Sequence, residues 1–151
     1  MNDIDNLPSA PDVAGTSLSG TSIYIISPDE NAALCRSTSV EPATDGSAHP
    51  IYYFIATQAG MGKTVAGLCA ACDFNVDDGP LMGSSSVDFK MPLRTGVPYN
   101  VTGEILSLVR KRSKKLGVMD VLEYRLRLHE DNGTTVLETT NVWVLPRKER
   151  A

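Results

Sequence analysis

Asp45 and His49 stand four residues apart and pair the two kinds of side chain most often used to move protons near neutral pH. His49 is one of only two histidines in 151 residues, and Pro50 follows it at the head of an apolar-periodic stretch. It reads either as a general base with Asp45 nearby or as a polar residue that opens a helix. At the same helix start, the backbone N–H groups of Ile51, Tyr52 and Tyr53 lack intrahelical partners and sit at the positive end, where they suit a polarised carbonyl or a phosphate. Water or the preceding loop is the plainer partner. Arg110, Lys111, Arg112, Lys114 and Lys115 put five cations into six residues between two expected strands. That run is an anion site, or a hairpin tip whose charges discourage aggregation. His129, beside Glu130 and Asp131 on the polar face of a strand, reads as solvated surface.

Two other patterns are weaker. Gly60, Met61, Gly62, Lys63 and Thr64 approach a phosphate-binding loop, but Thr57 occupies the place of the first glycine and no later strand ends in a convincing metal-binding aspartate. A P-loop-like nucleotide binder is therefore a remote alternative. Cys69 and Cys72 have CxxC spacing without two further zinc ligands, and with Cys35 they make an odd total. They read as small buried thiols; no metal is expected.

The elements that position these residues follow from composition and periodicity. With 42% hydrophobic and 21% charged residues and a formal net charge of -4, the chain reads as one soluble domain. A domain of this size buries roughly 68–70% of its unfolded surface and needs no disulfide or metal staple. A pI near 5.1 argues against general nucleic-acid binding, and no apolar stretch reaches the ~20 residues of a membrane helix. Residues 1–20 have neither a basic start nor an apolar run, so they read as a flexible leader of a cytoplasmic protein, with the folded domain over 21–151.

Residues 22–26 predict a short strand. Ser27, Pro28 and Glu30 spell a helix start with a capping box, and the helix runs to about Arg36. Over 50–73 the apolar spacing predicts one long helix, with Gly60 and Gly62 marking either a break or a face pressed against another backbone. Period-two patterns then predict strands over 84–91, 99–111, 118–129 and 134–145, the last two joined by a type I′ turn at Asn132-Gly133. A helix of about 24 residues and strands of ten to twelve both span ~36 Å, so the helix lies along a curved five-stranded antiparallel sheet in an α+β fold.

Ala48-His49-Pro50 ahead of that helix, Phe89-Lys90-Met91-Pro92-Leu93-Arg94-Thr95-Gly96, Val101-Thr102-Gly103-Glu104 and the Asp131-Asn132-Gly133 hairpin together resemble the MaoC-like hot-dog family, closest to its N-terminal-type dehydratase domain. The resemblance spans about residues 22–147 and implies a single hot-dog domain, a long central helix wrapped by five strands. It also implies that the chain binds an acyl-CoA or acyl-carrier thioester as substrate, with no cofactor. Catalytic members are (R)-specific enoyl-CoA hydratases or 3-hydroxyacyl dehydratases, with an Asp followed five residues later by a His. Here the fifth residue before His49 is Thr44, and before Tyr52 it is Ser47, so that dyad is not intact; Asp45 with His49 is what remains.

The resemblance therefore implies a homodimer or a heterodimer in which a partner hot-dog subunit supplies most catalytic residues. Ile51, Tyr52 and Tyr53 would face the acyl thioester, and Arg110, Arg112, Lys114 and Lys115 the CoA phosphates. A non-catalytic acyl-CoA binder is an alternative. So is a thioesterase, with Thr57 and Gln58 on the helix as neutral polar candidates besides its tyrosines.

Overall fold

The computed structural model describes residues 6–148; residues 1–5, part of the expected leader, and 149–151 lie outside it. In order come β1 (Tyr24–Ile25), α1 (Pro28–Ser37), α2 (Tyr52–Gly60), α3 (Val65–Ala71), a 3-10 turn (Val76–Asp78), β2 (Leu81–Phe89), β3 (Pro98–Ser113), β4 (Gly117–Glu130) and β5 (Thr135–Pro146). The strands form one antiparallel sheet in the order β1-β3-β4-β5-β2, with α2 packed across it in the α+β hot-dog arrangement. The expected α1 start forms: Ser27 caps it, its hydroxyl accepting from Glu30 N at 3.3 Å, and Pro28 opens the first turn.

Alternation decides which side of the sheet is covered. Along β4, Val118, Leu122, Tyr124, Leu126 and Leu128 are buried beneath the helical layer, while the residues between them are half-buried on the other face. On that second face Arg125 pairs with Glu104 at 2.6 Å and Arg127 with Glu138 at 2.8 Å. A β-bulge between Ile105 and Ser107 shifts the phase of β3. Beyond it Val109 turns outward, 47% exposed, and the side chain of Arg110 turns inward, 7% exposed.

The single long helix does not form. Residues 61–64 interrupt it between α2 and α3, because the two glycines meet backbone and core at close quarters. A Cβ on Gly62 would lie 2.3 Å from the carbonyl oxygen of Ser19, and one on Gly60 would lie 2.6 Å from Val101 Cγ2. Gly62 N–H donates to Leu18 O at 2.8 Å, and Thr64 restarts the helix as N-cap, accepting from Gly67 N at 3.0 Å. The glycine-lysine-threonine stretch is thus a helix break whose donors serve the fold.

The segment threaded past those glycines is the second half of the expected flexible leader. Gly15 N–H donates to Ile105 O, Leu18 N–H to Gly103 O and Gly20 N–H to Val101 O, at 2.8, 2.8 and 2.9 Å. Leu18 is fully buried. These residues extend the edge of β3 beyond its pairing with β1, so residues 15–20 are hydrogen-bonded to the sheet. The β4–β5 turn is corrected as well. Only Gly133 has positive φ, at 86°, with Gly133 N–H bonded to Glu130 O; this is a three-residue loop with glycine in the left-handed position, since type I′ needs positive φ at both central residues.

Candidate functional site

A cavity of about 780 Å³ opens between the loop that follows α1 and the stretch that follows β2. Val40, Ala48, Phe89, Met91 and Leu93 make its apolar wall, and Glu41, Ser47, His49, Lys90 and Cys35 bring polar groups to it. The loop is held by its neighbours: Ala48 N–H donates to Leu93 O at 2.7 Å, Thr95 N–H to Gly46 O at 3.0 Å, and Ser47 bridges to Arg94. Lys90 and Met91 both donate backbone N–H groups to Val136 O, which fixes the opposite wall to β5.

His49 is positioned from both sides. Its backbone N–H donates to Oδ1 of the buried Asn31 at 2.8 Å, and Cys35 Sγ donates to the same oxygen at 3.7 Å. Its ring Nδ1 accepts from Ile51 N–H at 3.0 Å. A nitrogen that accepts carries no proton, so the neutral imidazole holds its hydrogen on Nε2. While that bond stands, His49 offers the cavity a donor. It suits a carbonyl oxygen better than a proton to be removed.

Asp45 does not join it. Its Oδ1 accepts from Ser47 N–H at 2.9 Å, and that bond, with the nearby Arg94, holds the carboxyl below the usual carboxylate range. Among the described residues no hydrogen bond links Asp45 to His49, and Asp45 is not part of the cavity wall. Glu41 is the carboxylate that shares the cavity with His49. Sequence reasoning missed Glu41, Ser47 and Asn31, because a search for an Asp five residues before the His has no place for a residue eight before it or for an anchor on another helix.

The donors expected at the helix start are already engaged. Tyr52 N–H bonds His49 O at 3.1 Å, Tyr53 N–H bonds Pro50 O at 3.0 Å, and Ile51 N–H bonds the imidazole. The tight turn ahead of α2 and the His49 ring do the capping, leaving none of the three for a thioester. On α2 itself, Thr57 spends its hydroxyl on Tyr53 O at 2.6 Å, and Gln58 turns into the core to donate to the Tyr124 phenol at 2.7 Å.

The basic run divides. Arg110 clamps the fully buried Asp120 with two bonds, 2.7 and 3.0 Å, and reaches Pro8 O at 2.9 Å. Arg147 bonds the same carboxylate at 2.8 Å and caps α3 by donating to the carbonyls of Cys72 and Asp73. Burial alone would raise the Asp120 pKa, but the two guanidiniums outweigh it and hold the carboxyl below its ordinary value. Arg110 is therefore an interior ion-pair residue and no phosphate ligand. Arg112, Lys114 and Lys115 are at or beside the β3–β4 turn, while the cavity adjoins the other end of those strands and none of the three lines it.

The cysteines lie in the core. Burial raises Cys69, and burial with Cys69 beside it pushes Cys72 up to about 11. Among the described residues no three metal-ligating side chains cluster. His129 is not the solvated residue expected: its Nε2 meets Thr102 Oγ1 at 2.7 Å and its Nδ1 meets Thr135 Oγ1 at 3.1 Å, with burial and Arg127 lowering its pKa.

No family model matches the sequence. No curated protein matches it either. Solved structures do match. The HadBC (3R)-hydroxyacyl-ACP dehydratase complex from Mycobacterium tuberculosis shares 15% identity at TM-score 0.67, over 89% of this chain and 98% of that one. The chain has the hot-dog fold of the MaoC-like dehydratases. The MaoC-like dehydratase from Rhodospirillum rubrum superposes at TM-score 0.62 with 13% identity, covering 96% of this chain and 97% of that one. A hypothetical thioesterase from Streptococcus pneumoniae superposes at 0.56 with 10% identity, over 90% of this hot-dog chain and 88% of the other. Among the described residues no helix is long and apolar enough to cross a membrane.

Proposed function

We propose that this hot-dog chain is a MaoC-like subunit that binds acyl-CoA and works within an (R)-specific enoyl-CoA hydratase or 3-hydroxyacyl-thioester dehydratase assembly, most of whose catalytic residues sit on a partner chain. One observation carries the reading: the cavity presents an apolar wall and a single imidazole, and that imidazole is fixed as a donor with no carboxylate hydrogen-bonded to it. Adding water to an enoyl thioester needs a base and a group that orients the water, both within hydrogen-bond reach. An Nε2–H donor is no base; it suits the thioester carbonyl, where it would stabilise developing negative charge. The Mycobacterium tuberculosis neighbour named a dehydratase is itself a complex, in line with a divided site.

The test is calorimetric titration of the purified chain with saturated acyl-CoA. Binding is expected, with Val40→Trp, at the exposed rim, weakening it about tenfold by filling the cavity. Absence of binding by the folded chain contradicts the reading. A second reading rests on Glu41 and Ser47, which share the cavity with His49 and would suit hydrolysis of the thioester. Release of free thiol from acyl-CoA, lost in Glu41→Gln, would favour that thioesterase.

A further inference from the structure

Beneath α2, one strand in from the β2 edge, lies a group of uncharged polar side chains that the fold does not satisfy. Asn141 is fully buried; its amide lies against the Tyr124 phenol, and its Oδ1 has no hydrogen-bond partner. Trp143, 5% exposed, has an unpaired Nε1–H, and Gln58 has an unpaired Oε1 while its Nε2 donates to Tyr124. The Trp143 and Tyr124 rings meet edge to face at 5.5 Å. Burying polar atoms without partners is costly, so a sequence selected for packing alone would place aliphatic residues here.

The group connects to the cavity by consecutive contacts. Phe89, in the cavity wall, meets Tyr53 edge to face at 6.2 Å; the Tyr53 hydroxyl bonds Ser85 Oγ at 2.9 Å; Ser85 is the register partner of Asn141. Phe89 is 40% exposed, so the row begins at a surface rather than inside a sealed core.

We propose that this row receives the distal part of the acyl chain and that Gln58, Asn141 and Trp143 bind a neutral oxygen function on it, a hydroxyl or a keto group. The proposal rests on the acyl-CoA reading above and names its substrate class. The unpaired set offers an N–H donor (Trp143) and carbonyl acceptors (Gln58, Asn141), which match a hydroxyl fully and a ketone by its acceptor half. No charged residue belongs to the set, so a carboxylate or an ammonium would be buried without a counter-ion.

Trp143 is the only tryptophan in the chain, so its fluorescence reports on the site directly. Octanoyl-, dodecanoyl- and hexadecanoyl-CoA are titrated beside their terminally hydroxylated and oxo counterparts, into the full chain and into Asn141→Leu and Gln58→Leu. At one length or more the oxygenated form should bind about tenfold tighter, shift the emission, and lose that preference in both variants. Equal affinities within every pair, or a preference that survives both substitutions, overturns the proposal and leaves the acyl-CoA reading standing. Failure of every acyl-CoA to bind the folded chain overturns both. Two variants on different elements keep the test decisive if one fails to fold.

Discussion

Asp120 is the residue on which the interior charge depends. Replacing it with Asn leaves Arg110 and Arg147 buried without an anion, and stability should fall by about 3–5 kcal/mol in urea unfolding at pH 7. The native carboxyl titrates below its unfolded value, so the unfolded state binds more protons between the two. The contribution is complete above the unfolded value near ~3.9 and disappears as pH falls through the native one, so wild type should lose stability in acid more steeply than Asp120→Asn. A further prediction concerns the thiols: with Cys72 raised to about 11 and Cys69 raised by burial, neither should react with iodoacetamide at pH 8 until the chain unfolds, as peptide mass mapping would show. Part of this was legible. Asp120 is in phase with Leu122 and Tyr124, and a charged residue on the covered face of a strand asks for a partner. Arg110 was not, because strict alternation from Ile105 points it outward and only the bulge turns it in.

At the scale of elements, the strands were readable because their covered face repeats every second residue, and α1 because its cap is local chemistry. The helix break and the leader could not be separated in the sequence. Gly60 and Gly62 announce close approach without naming what approaches, and residues 15–20 are polar enough to read as free until a strand edge is found for their backbone. Their dependence is testable. Gly62→Ala places a methyl group against Ser19 O and should cost about 1–3 kcal/mol by urea unfolding, with faster amide exchange at Leu18 and Gly20. Unchanged stability and exchange would mean that the leader and the helix break are not mutually supporting. The expected Asp45–His49 pair failed for a local reason as well: the loop uses both side chains to cap its own N–H groups, a choice set by backbone turns that spacing does not report.

Taken whole, the sheet ends in β1, two residues long, and in β2, nine residues long, and on the longer outer edge of β2 Leu81, Met82 and Phe89 are 46%, 49% and 40% exposed. Such an edge invites pairing, and sedimentation should find a dimer that the double variant Leu81→Lys/Met82→Lys weakens toward monomer. A monomer at micromolar concentration in wild type would remove that expectation. The central claim is the divided site, and hydration of trans-2-enoyl-CoA by the purified, folded chain alone tests it most directly. No turnover across short and long enoyl groups is the predicted result, with activity appearing when a hot-dog partner that carries the Asp and His is added. Turnover by this chain alone that vanishes in His49→Ala would contradict it.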